Sequence, residues 1–386
     1  MEAKALKRLI IKSLKQQGFK IEGDRVSAPI DLNKEYIRHL HAESVRHLIE
    51  NSRAKLVPKE GKLLGYLANG CEVIPELISP RLVEAKSDTF EGLLFRYAAL
   101  HWSIPISTGY GRRLRFLVID EHNGKLIGLI GLADPVFNLG VRDKWVGWDK
   151  KAQQANLSHV MDAFVLGAVP PYSQLLCGKL VAMLVASKEV RNAFKRKYTG
   201  QQTLISQKEL DARLALITTT SALGRSSIYN RLKYQGNLLY QSVGFTQGYG
   251  EFHFTNGIYS AMSEYASANA SPTARHASWG NGFRNRREVV RKCLSSLGIK
   301  SDWTFHGIQR EVFVVPLAHN TQAFLRGEHT RLRGTDYSVS DLAAFFKERW
   351  LLPRSQRDQS YLNWEREEWR LWPRYEAQMA LRYDNE

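Results

Sequence analysis

The chain has 386 residues, and its 55 lysines and arginines outnumber 38 aspartates and glutamates for a formal net charge of +17. That excess favours polyanionic partners. With 44% hydrophobic residues and nine tryptophans the chain can bury a large core, which excludes wholesale disorder, while its longest apolar runs, such as Leu180–Ala186, fall short of the ~20 residues of a membrane span.

The first segment with helical spacing is Leu6–Leu14, where Lys4, Lys7, Arg8, Lys12 and Lys15 interleave with Leu9, Ile10 and Ile11. An organelle transit peptide shares that pattern, but Glu2, the scarcity of serine and the stop at Gly18 favour an ordinary amphipathic helix. Tyr36/Ile37, Leu40, Val45 and Leu48/Ile49 then recur at steps of three to four behind an N-cap at Asp31 or Asn33. His39, Glu43 and His47 share one face of that helix and read as a solvated polar face rather than metal ligands. Residues 1–90 are therefore expected to form a helical N-terminal region.

The pattern changes at Leu114–Asp120, where strand-like alternation is followed by the turn His122-Asn123-Gly124 and a second run, Lys125–Leu132, predicting two antiparallel strands. A third strand is expected at Ala163–Val169, closed by Pro170-Pro171, because two prolines cannot donate ladder hydrogen bonds. Apolar spacing predicts a helix over Tyr172–Lys197 with the basic end Lys195-Arg196-Lys197, a strand at Leu214–Thr220, a further helix within Ser227–Ser242 and a short strand around Glu251–Phe254. Composition shifts toward Ser, Ala, Gly and Asn from Ala266 to Arg284, and four tryptophans crowd the last stretch at Trp350, Trp364, Trp369 and Trp372. The resulting division is a helical region 1–90, a mixed α/β core 91–265 and a basic, Trp-rich region 266–386.

Cys71, Cys177 and Cys293 include no close pair, so neither a disulfide framework nor a thiolate zinc site is read from them, and a reducing cytoplasm is the expected location. No phosphate-loop motif is present. Asp120, Asp134 and Asp162 end or flank strands, where carboxylates either hold a metal ion or serve turns and caps; the second role is the expected one.

A strand, a sharp turn and a helix with free N-terminal amides form an anion site. In this chain Val165–Lys179 together with Ile217–Phe245 is similar to the Gcn5-related N-acetyltransferase superfamily, which implies an acetyltransferase-like mixed sheet and an acyl-CoA cofactor. Gln174 matches that superfamily's pyrophosphate loop, but Cys177 stands where the first glycine belongs, Gly178 comes one position late, and Lys179 replaces a small residue. Tyr240 matches the position of a general acid, with a core role as the alternative, and Glu251 and His253 are candidate bases on the expected strand.

Basic segments give the second signal: Arg112, Arg113 and Arg115; Lys195, Arg196 and Lys197; Arg284, Arg286, Arg287, Arg291 and Lys292; and Arg331 with Arg333. Each offers phosphate contacts, and Tyr110, Trp279, Phe283 and Trp303 offer stacking surfaces. With no zinc-finger, zipper or RNP spacing, backbone-directed contact with DNA or RNA is expected rather than base readout.

The segments Gly111-Arg112-Arg113-Leu114-Arg115, Leu126–Phe137, Thr218-Thr219-Thr220-Ser221, Gly224-Arg225-Ser226-Ser227, Arg284–Glu288 and His306–Val312 with Pro316-Leu317-Ala318 resemble the DruA family of the bacterial Druantia anti-phage defence systems. The resemblance runs from about Phe90 onward and implies a cytoplasmic component acting beside other Druantia subunits, among them a large helicase-like protein. It brings no established active site. The function expected from these signals is a nucleic-acid-binding accessory or recognition subunit that uses no cofactor; the alternatives are an acyl-CoA-dependent acyltransferase acting on protein or RNA and a scaffold that docks on an acidic partner.

Overall fold

A computed structural model of the chain describes residues 2–22, 25–28, 33–106, 111–202, 209–273, 282–283, 285–299 and 301–372. The central feature is a seven-stranded mixed sheet. Its strands are β1 (Pro80–Glu84), β2 (Arg113–Asp120), β3 (Leu126–Ala133), β4 (Val160–Ala168), β5 (Leu216–Thr220), β6 (Gln241–Phe245) and β7 (Glu311–Pro316). They lie in the order β6-β7-β5-β4-β3-β2-β1, so the last strand in the chain is inserted between β5 and β6. All neighbours are antiparallel except β4 and β5, which run parallel and pair only from Val160↔Leu216 to Asp162↔Thr218. The longer helices are α1 (Ala3–Gln16), α2 (Lys34–Leu56), α3 (Phe90–Ala99), α4 (Cys177–Leu184), α5 (Lys188–Tyr198), α6 (Asn256–Asn269), α7 (Arg286–Ser296) and α8 (Val339–Phe346).

Helices cover both faces of the sheet, and the side-chain alternation of the strands feeds two cores. Leu114, Phe116 and Val118 of β2 point to the face covered by α4, α5 and α8, whereas Leu117 and Ile119 point to the face covered by α3 and the segment 56–67. Burial on both faces explains why β3 reads as an unbroken apolar run. Glycine is required within that run: a Cβ on Gly131 would lie 2.6 Å from the Phe164 ring. A separate helical module is built from α1, the first half of α2, α6, α7 and the hairpin 20–22/25–27, with Leu6, Ile10 and Leu14 of α1 buried against it. Ile37 and Leu40 of α2 belong to this module while Leu56 joins the sheet core, so α2 links the two.

The expected strand pair is present as β2 and β3, the third strand begins three residues early at Val160, and the expected N-cap is Asn33, whose side chain accepts from Tyr36 N at 2.8 Å. Asp31 lies outside the described residues. Three expectations are corrected. The helix over Tyr172–Lys197 is two helices: Tyr172–Leu176 is a turn ending at Leu176 in the left-handed region (φ 61°), and Ser187, extended and buried, restarts the chain as the N-cap of α5. The helix expected within Ser227–Ser242 is a single 3-10 turn, a small hairpin (233–234 with 237–238) and the start of β6. The left-handed pair Gln235 (φ 48°) and Gly236 (φ 78°) makes the turn. The strand around Glu251–Phe254 is a turn leading into α6, since Gly250 N bonds Thr304 O at 2.9 Å and no ladder continues.

Candidate nucleic-acid interface

The residues expected at a coenzyme A site are occupied with holding the fold. Tyr240 is buried, stacks on Tyr229 (4.6 Å, 6°) and donates its hydroxyl to Ala182 O of α4 at 2.7 Å. Burial raises its pKa well above that of a free tyrosine. Gln174 gives its carbonyl to Arg354 Nε at 3.1 Å, Gly178 faces the Ile228 side chain, and Lys179 sits 5.3 Å over the Trp350 ring. Burial, reinforced by Arg231, lowers the Lys179 pKa.

Glu251 and His253 lie with the helical module, not beside Tyr240. Glu251 is 3.6 Å from Arg287, and burial lifts its pKa against the pull of Arg287, Arg286 and Arg291. His253 is buried, with Nε2 donating to Trp303 O at 2.8 Å. Around it stand His41, which accepts from Arg310 Nη2 at 3.0 Å, and His306, whose Nδ1 accepts from Ile308 N at 3.0 Å. The accepting nitrogens of His41 and His306 need neutral rings, and burial lowers the pKa of His41 and His253 to about 4, in His253 against the bond to Trp303 O, and that of His306 to about 3.

Among the basic segments, the first is structural. Arg112 bonds Asp134 through its backbone N (2.8 Å) and Nε (2.6 Å), reaches Ser158 O at 2.6 Å, and lies over the Phe194 and Tyr198 rings. Arg113 covers Phe164 at 4.8 Å, and Arg115 faces Phe95 and lines an apolar cavity of about 300 Å³ with Trp102 and Phe164. Burial lowers the pKa of both, and Arg113 and Arg96 lower that of Arg115 further. On α5, Lys195 and Arg196 are exposed, but Lys197 (2.9 Å) and Arg196 (3.7 Å) share Glu84.

The acids take turn and pairing roles. Asp120 accepts from Ser79 N (2.9 Å) and the Tyr172 hydroxyl (2.9 Å), while Asp162, its pKa raised by burial, accepts from the Thr218 hydroxyl at 2.6 Å. Asp120 ends β2 at the Leu126 end of β3, and Asp162 is paired with Ala133 at the other end.

The helical module carries the uncommitted charge. Asn285 caps α7 by accepting from Glu288 N at 3.0 Å. Along α7, Arg286 bonds Phe254 O and lies 4.2 Å over Tyr259, Arg287 pairs with Glu251, Arg291 is exposed and Lys292 is half-buried. Trp303 is buried and Phe283 packs on the module, so neither offers a free stacking face; Arg284, Tyr110 and Trp279 lie outside the described residues. On α1, burial of Leu6, Ile10 and Leu14 turns Lys4, Lys7, Arg8, Lys12 and Lys15 outward, with no acidic residue in the first turn. None of the five pairs with a carboxylate among the described residues. Both α1 and α7 pack on α6. The sequence signal for this face was present as cations spaced around Leu6, Ile10 and Leu14, and it points to an interface once the apolar side is known to be covered.

No solved structure matches the chain. The family model described as "Druantia protein DruA" matches residues 31–327. The protein named "Druantia protein DruA" of Escherichia coli (strain UMEA 4076-1) is 43% identical over 366 residues, covering 94% of this chain and 90% of that protein. A match across most of the sheet and much of the helical module, with the β2–β3 hairpin and the β7 block inside it, means that the chain belongs to the DruA family.

Proposed function

We propose that this DruA-family protein is the nucleic-acid-binding accessory or recognition subunit of a Druantia anti-phage defence system, acting beside other Druantia subunits including a helicase-like protein in the cytoplasm. The observation that carries the reading is the outward face of α1, five cations with no carboxylate partner among the described residues, on the same module as Arg291 and Lys292. Such a face binds phosphodiester backbone by counterion release and carries no base-specific code. The acyltransferase reading draws no support from Tyr240, whose hydroxyl is buried against Ala182 O.

The test is a salt titration of DNA and RNA affinity for the full chain and for a variant with Lys4, Lys7, Arg8, Lys12 and Lys15 changed to glutamine. Affinity for duplex falls steeply between about 50 and 200 mM salt, and the slope decreases by about 0.9 for each contacting cation removed. A salt response that is flat in the native chain, or unchanged in the variant, defeats the proposal. Co-purification of the helicase-like subunit with the variant separates partner contact from strand contact.

A further inference from the structure

A second cationic feature lies at the end of β7 and takes in Arg333 of the last basic segment. Where β7 ends at Pro316, the loops 317–323 and 326–337 and the hairpin residues Asn237–Leu239 surround an open cavity of about 510 Å³. Its wall contains Arg326, Arg333, His319 and His329, the aromatic side chains Trp145 and Tyr337, and no aspartate or glutamate.

The two loops are built to hold their shape. Asn320, nearly buried, donates to Arg331 O at 2.9 Å and accepts from Arg333 N at 2.8 Å; His319 N bonds Arg333 O at 2.9 Å; and Thr335 N bonds Leu317 O at 3.0 Å. Arg326 is fixed by Val146 O at 3.0 Å and by Glu328 at 2.6 and 2.8 Å, which commits the carboxylate beside the cavity. Arg333 and His319 remain exposed and form no ion pair with a carboxylate among the described residues, and His329 is exposed beside Glu328. A scaffold of satisfied buried polar groups is thus used to hold unpaired donors around a space of nucleotide size, and such donors suit an anion.

We infer that this cavity binds the phosphate groups of a nucleotide, with Arg333 as the principal phosphate ligand and His319 and His329 beside it. The phosphate can belong to a free nucleoside diphosphate or to the 5′ end of a strand; in the second case the inference rests on the nucleic-acid reading above.

Calorimetry of the full chain with pyrophosphate tests the site without needing a strand. Pyrophosphate binds the native chain and the five-fold α1 variant alike, and binds Arg333→Gln at least about tenfold more weakly, as loss of a charge-assisted contact requires; His319→Gln weakens it in the same direction. Arg333 is exposed, so an unchanged melting temperature confirms that the variant is folded. No heat in the native chain, or equal affinity in Arg333→Gln, overturns the inference. Displacement of pyrophosphate by ADP identifies a free nucleotide as the ligand, and displacement by a 5′-phosphorylated but not a 5′-hydroxyl oligonucleotide identifies a strand end. Displacement by neither overturns the nucleotide assignment.

Discussion

Three imidazoles in the helical module, His41, His253 and His306, have guanidinium neighbours, Arg310 for His41 and His306 and Arg286 for His253, and no carboxylate is among the groups that shift their pKa values. Their folded pKa values, about 4, 4 and 3, lie below the value near 6.5 of the unfolded chain. Above pH 6.5 both states are neutral at these rings and stability is at its full value. As pH falls from 6.5 toward 4 the unfolded chain takes up protons that the native rings refuse, and stability is lost. Urea unfolding at pH 7.5 and pH 5 is expected to show a loss on the order of 1–2 kcal/mol per ring, diminished when His253 is replaced by Gln. A second expectation concerns Tyr240: Tyr240→Phe removes the hydroxyl that reaches Ala182 O and destabilises the sheet core by about 1 kcal/mol, measured as a shift of the urea midpoint at unchanged m-value. Residue roles of this kind were the least legible in the sequence. A tyrosine near a glycine and a histidine two residues from a glutamate have the same spelling in a catalytic site and in a core, and only the placement of Ala182 O and Trp303 O decides between them.

At the scale of elements, legibility followed the locality of the cause. The β2–β3 hairpin could be read because strand alternation and an Asn-Gly turn sit within one short stretch. The break between α4 and α5 could not, because Leu180–Ala193 keeps helical apolar spacing straight through Ser187, and at the restart Lys188 N bonds Tyr337 O at 2.7 Å in the segment leading into α8, a partner distant in sequence. The hairpin at Lys233–Leu238 is marked by Gln235-Gly236, a pair whose turn preference is outweighed on a helical reading by the apolar residues around it. Shape in β3 is set by an absence: Gly131 leaves room for the Phe164 ring, which in turn lies under Arg113. Gly131→Ala is therefore expected to cost about 1–3 kcal/mol as an overpacked core, readable as a lower melting temperature, whereas Gly140→Ala, with open space around it, leaves the melting temperature within a degree or two of native.

For the whole molecule, a net charge of +17 said that a polyanion is a fitting partner but not where it would lie. The densest basic motifs in the sequence, Arg112 to Arg115 and Lys195 to Lys197, are partly consumed by Asp134, Glu84 and aromatic faces. Cations without an ion pair among the described residues include those on α1 and Arg333 at the cavity beside β7, the first read as an amphipathic helix and the second singled out only through Arg331 and Arg333. The C-terminal tryptophans likewise serve the fold: Trp369 stacks on His101 at 3.8 Å and its carbonyl accepts from the Tyr97 hydroxyl, while Trp372 is nearly buried. Density of charge in a sequence is a poor guide to free charge on a surface, because arginine clusters attract the carboxylates and rings that neutralise or cover them.

The helical module joins the beginning of the chain to a segment made much later. α1 ends at Gln16, and the helix it leans on starts at Asn256. On a ribosome adding about 5–20 residues per second, this interval is on the order of ten to fifty seconds, during which Leu6, Ile10 and Leu14 have only the early part of their cluster, Phe19, Val26, Ile37 and Leu40, and lack the cover of α6. A nascent or prematurely terminated chain thus presents the cations of α1 without α6 and α7 beneath them, so the cationic face of the module is complete only when translation has passed α7.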